Sequence, residues 1–176
     1  MRDETGRRTA DAVDIKEAHV QTIDGLPTHV LLIHAVVVLV PLTALLLVLA
    51  AAWPAARRAL IWLVSALAVV TMVLTPITAD AGEEFASTFG PSETLRTHTE
   101  LGDTLTWFVL PLVVLTAVVL FVHLRERRGV PLARVLAAVL VVLTLAAGVA
   151  ATVQVYRVGE SGARAVWDAS SAAGRY

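Results

Sequence analysis

Four long apolar runs, separated by short polar breaks, dominate the chain: about His29–Trp53, Ala59–Thr78, Leu101–His123 and Val130–Tyr156. A helix rises 1.5 Å per residue, so about 20 apolar residues cross the roughly 30 Å of bilayer hydrocarbon. Each run is long enough to span with some tilt. None shows the polar face that a helix of a soluble protein turns to water. The pattern therefore predicts an all-α, integral membrane four-helix bundle over residues 25–167, flanked by a polar N-terminal tail (1–24) and a C-terminal tail (168–176). Pro41 and Pro111 fall mid-span and Pro76 near the end of the second span, marking places where a helix is free to bend. Ala146, Ala147, Gly148, Ala150 and Ala151 give the last span a small-residue face for close helix approach or for docking a partner.

Composition agrees with the pattern: 57% of the 176 residues are hydrophobic and only 16% are charged. The first 24 residues are polar and of mixed charge, without the apolar core of a secretory signal. The chain has no cysteine, which excludes disulfides, iron–sulfur ligation and cysteine nucleophiles. A formal charge of −1 without a basic stripe argues against a nucleic-acid partner.

The charges have a sided distribution. Arg57 and Arg58 lie between the first two spans, and Arg125, Arg127, Arg128 and Arg134 between the last two. The connection between the second and third spans carries Asp80, Glu83, Glu84, Glu93, Glu100 and Asp103 against Arg96 alone. Arginine-rich short loops stay in the cytoplasm, so the acidic connection and both termini are expected on the outer side.

Candidate chemistry gathers at that outer side. His19 belongs to the polar tail, and His123, beside Arg125, reads as a solvated or headgroup-facing residue. His29 opens the first span after Pro27. His34 lies about 8 Å deeper, where a polar ring should turn into the bundle or to water. His98 shares a helical stripe with Leu95, Leu101, Gly102, Leu105 and Phe108 if the third helix starts early, with Glu100 and Asp103 turned away. Gln154 and Glu160 arrive at the same level from the fourth span. His34 and His98 are thus candidate ligands, with His29, Glu160 and Gln154 as supporting groups; Glu83 is a further neighbour. Imidazoles from different helices suit b-type haem or a divalent metal, while a quinone head group, a proton site, or hydrogen-bonded structural links between helices suit the same residues. Gly159–Ala163 (GESGA) lacks the strand–turn–helix setting of a nucleophile elbow. Only scattered Ser65, Thr71 and Thr144 mark the midplane, too little for a conduit.

The segments GLPTHVLLIHAVVVLVPL (Gly25–Leu42), AGEEF (Ala81–Phe85), HTELGD (His98–Asp103) and VGESGARAVW (Val158–Trp167) together resemble the bacterial membrane family known as domain of unknown function 2231, in the shorter form found in actinobacteria. The resemblance covers about Asp24–Trp167. It implies a four-helix membrane domain with a layout like that of small b-type cytochromes, sometimes fused to iron–sulfur redox domains, and with no established activity. Where family members often carry histidine, this chain has Leu26 and Glu160, so two haem ligands that the resemblance would supply are missing.

The expectation is a non-enzymatic, multi-pass protein of the plasma membrane. Its histidine site near the outer face would bind b-type haem or a metal ion in a redox context. The alternative is an accessory subunit of a respiratory or envelope complex without a cofactor. The bilayer is the expected partner, with a membrane-complex partner or a second copy beside it. A pH- or metal-responsive sensor is a third reading.

Overall fold

The computed structural model describes residues 22–23, 26–87 and 92–173, with side chains in 31–87 and 92–167. The expected N-terminal tail with His19, and the side chain of His29, fall outside the described residues. A two-rung antiparallel ladder pairs Thr22 with Pro27 and Ile23 with Leu26. Four helices follow: α1 (Thr28–Ala52), α2 (Pro54–Ala86), α3 (Glu93–Arg127) and α4 (Arg134–Ala173). All four are long and apolar enough to cross a membrane.

Local sequence explains most of the boundaries. Pro54, with its fixed φ and missing N–H, starts α2 immediately after Trp53. Glu93 in the first turn of α3 and Arg125 and Arg127 in its last complement the helix dipole. Gly129 then adopts φ 79°, and the N–H groups of Gly129 and Val130 return to the carbonyls of Glu126 and Arg125. Those two bonds form the Schellman ending that a left-handed glycine permits. Pro41, Pro76 and Pro111 all lie inside continuous helices.

The helices run up and down in chain order, each packing on its neighbour, with α4 closing against α1. A core of Val36, Val40, Leu47, Ile61, Val64, Val109, Leu112 and Val119 fills the centre. At the α1–α4 seam, a Cβ on Gly148 would sit 3.2 Å from the Cβ of Ala44, so the two backbones meet there. Part of the small-residue face expected to dock a partner, Gly148 and Ala151, is buried inside the bundle itself.

Buried polar groups are satisfied locally. The hydroxyls of Thr75 and Thr116 donate to the carbonyls four residues earlier, and Thr43 and Thr71 meet across α1 and α2 at 3.4 Å. At the end holding the short α1–α2 and α3–α4 connections, Arg57 is 5% exposed. It donates to both carboxylate oxygens of Glu126, at 3.2 and 2.7 Å, and to the carbonyls of Ala50 and Ala51 at 3.2 and 3.3 Å. One guanidinium thus closes the last turn of α1 and ties α2 to α3. His123, expected to be solvated, is instead buried at 5% exposure, because its place on α3 continues the inward stripe of Thr116, Val119 and Val122.

Exposed aromatic residues bracket the apolar middle. Trp62 and Phe121, each about 60% exposed, fall at one level by the register that Arg57–Glu126 sets, and exposed Trp53 stands about 13 Å nearer the connection at the start of α2. Trp107 stands about 21 Å from Phe121 along α3, and the level of Tyr156 about 28 Å away. That spacing matches two interfacial belts about one hydrocarbon thickness apart.

Candidate functional site

At the end of the bundle opposite Arg57, all four helices surround a small axial cavity. Its walls are apolar side chains of α1 (Ile33, Val36, Val37), Thr75, Thr78, Ala79 and Gly82 of α2, Gly102 and Leu105 of α3, and Val155 and Val158 of α4. His98 is the sole ionisable residue among those lining it. The early start of α3 at Glu93 places His98 on the inward stripe, half-buried, while Glu100 and Asp103 are exposed.

The imidazole is held on two sides. Its Nδ1 lies 3.0 Å from the hydroxyl of Ser161, which donates to the carbonyl of Val158 at 2.9 Å. A hydroxyl has one proton, so both contacts are satisfied when the imidazole donates from Nδ1–H and Nε2 carries the lone pair. On the other side, the ring lies over Gly162, where an added Cβ would come within 3.0 Å of His98 Cε1. A larger residue there would press on the ring and require it to shift.

The remaining expected site residues are dispersed. Gln154 is buried, and its amide donates to Thr104 Oγ1 at 2.8 Å and to the Leu101 carbonyl at 3.2 Å, fixing α4 against α3. Glu160 pairs with Arg164 one turn on, at 2.6 Å, facing a second, mixed-charge cleft shared with Glu93, Arg157 and Ser161. His34 is exposed: α1 turns Ile33, Val36 and Val37 to the cavity instead. Residue 29 lies in the first turn of α1, and Glu83 is exposed near the end of α2.

A haem does not fit these residues. His34 and His98 do not face one cavity, and the space beside His98 is about 50 Å³, enough for a few water molecules but far too small for a macrocycle. A metal centre finds no donor set, since among the described residues no three His, Asp or Glu side chains are grouped.

Two groups escaped the sequence reading. Ser161 was legible only as part of a failed nucleophile motif, and its role depends on the α3–α4 register. The Arg57–Glu126 pair had a signal: Glu126 is the lone carboxylate between Asp103 and Glu160, set among arginines.

A family model described as "Predicted membrane protein (DUF2231)" matches residues 25–173. Neither a curated protein nor a solved structure matches the chain.

Proposed function

We propose for this chain, which belongs to the DUF2231 family of predicted membrane proteins, a non-enzymatic role as a multi-pass protein of the plasma membrane that senses protons through His98. The carrying observation is an imidazole held at Nδ1 by Ser161 beside a cavity with no other ionisable residue in its lining. Histidine changes charge between pH 5 and 8. Protonation adds a donor at Nε2 and a positive charge against apolar walls from four helices, which favours wider spacing and entry of water at that end. Ionisable Glu93, Arg157, Glu160 and Arg164 line the neighbouring cleft, where Glu93 and Glu160 pair with arginines on their own helices, and Asp80 and Glu83 adjoin the cavity-lining Ala79 and Gly82 of α2. The arginines of the short loops support a cytoplasmic position for that end, which turns the His98 cavity and both termini outward.

The test is tryptophan fluorescence and hydrogen exchange of the protein in nanodiscs from pH 8 to pH 5, with ¹⁵N-labelled histidine. His98 should show the Nδ1–H tautomer at pH 8 and a protonation step accompanied by faster exchange near residues 98–102 and 158–162. His98→Gln can still bond Ser161 but cannot titrate, and should lose the step. An unchanged step in that variant, or none in the wild type, refutes the reading.

A further inference from the structure

We infer that the end of the bundle carrying the two short connections holds a collar of arginines that binds the phosphate groups of anionic phospholipids in the adjoining leaflet. Six arginines lie there with one carboxylate, and the buried Arg57 occupies both oxygens of that carboxylate, Glu126. Arg58, Arg125, Arg127, Arg128 and Arg134 are all exposed, and no second acid exists at that end to pair with them.

Depth selects the ligand. The Arg57–Glu126 and Gln154–Thr104 contacts set the register of α2, α3 and α4, and by that register Arg58, Arg125 and Arg134 fall at one level on three helices. That level is four residues, or about 6 Å, beyond Trp62 and Phe121 in the aromatic belt. The headgroup layer occupies about 5–8 Å on each side of the hydrocarbon. Arg127 and Arg128 lie a further 3–5 Å out, still within reach of lipid phosphates given the length of the side chain.

The loop between them is built for an interface. The glycine turn at Gly129 fixes exposed Val130 and Pro131 between Arg128 and Arg134. That is an apolar tip flanked by cations. Helices α2 and α4 also begin at this end with no acidic residue in the first turn, so their dipoles add to the positive field. A guanidinium matches a phosphate with two parallel hydrogen bonds, which favours lipid phosphate over the diffuse attraction of any anion.

The experiment places the protein in nanodiscs of phosphatidylcholine containing about one-fifth phosphatidylglycerol, extracts it in mild detergent, and quantifies the lipids retained. Each arginine–lipid contact raises local occupancy on the order of fivefold, so the wild type should retain phosphatidylglycerol at least fivefold above its share. The triple variant R125Q/R127Q/R128Q should lose most of that enrichment, while E83Q/E84Q at the opposite end keeps it. Should the triple variant fail to fold, R58Q and R134Q are measured singly, and each should lower the enrichment. Enrichment at or near the bulk share in the wild type, or unchanged in the arginine variants, overturns the inference. So does saturable binding of tripolyphosphate by protein in pure phosphatidylcholine without enrichment of phosphatidylglycerol, which would identify a soluble phosphate ligand.

Discussion

At the scale of single residues, the molecule turns on a few polar contacts in an apolar setting. Arg57 is the most constrained, because its guanidinium meets Glu126 and two helix-end carbonyls while almost wholly buried. Glu126→Gln leaves that charge with carbonyl partners only. A loss of about 2–4 kcal/mol is expected, read as a lower unfolding midpoint in detergent, since breaking one side of a buried pair strands the other. Replacing both residues by leucine should recover much of it. Gly162→Ala should push the His98 ring off its seat and break the Nδ1 contact with Ser161, a change visible as mixed imidazole tautomers in ¹⁵N spectra with little effect on helix content. Residue identity in the sequence revealed which positions were polar at membrane depth, but not their partners. His34 and His98 both read as candidate ligands, yet the phase of each helix, turning about 100° per residue, leaves His34 exposed and brings His98 to the axial cavity. That phase depends on how α1 packs on α2 and α4, which no local pattern in α1 encodes when its apolar residues run all round.

At the scale of elements, the four spans were fully legible, since hydrocarbon thickness sets their length and nothing else in the chain competes. Their true extents were less so. Helices α2 and α3 run eight residues past the apolar runs toward their mutual connection, through segments whose charges read as loop. Charges there are exposed on helix surfaces, as Arg96 with Glu93 and Glu100 shows. The small-residue stretch of α4 was legible as a packing face, and Gly148 within it proves to be the seat of α1. Gly148→Leu should accordingly force the α1–α4 seam apart, costing about 1–3 kcal/mol in stability whether or not any partner is present. A melting curve of the purified monomer checks this.

For the whole molecule, the up-and-down order places the start of α1 and the end of α4 together at the His98 end, with the arginine collar at the other. Alkaline phosphatase fused to either terminus should therefore be active, and fused within the α1–α2 or α3–α4 connection inactive, in intact cells; the reverse pattern would invert the proposed sidedness. The proposed sidedness rests on loop charge, which the sequence displays openly. What joins the two ends was hidden: buried Leu47, Ile61, Val64 and Val119 fill the bundle between the threonine layer and Arg57, so that apolar packing separates the His98 cavity from the arginine end.

The tie between Arg57 and Glu126 also has a consequence for biosynthesis. The chain is made from its N-terminus, and no carboxylate lies between Asp24 and Asp80. A newly inserted α1–α2 hairpin therefore carries its buried-to-be arginine without a mate until residue 126 emerges and the third helix enters the bilayer. Until then the hairpin is an incomplete product with a marked, unneutralised position, the type of feature by which membrane quality control can tell a truncated chain from a finished one.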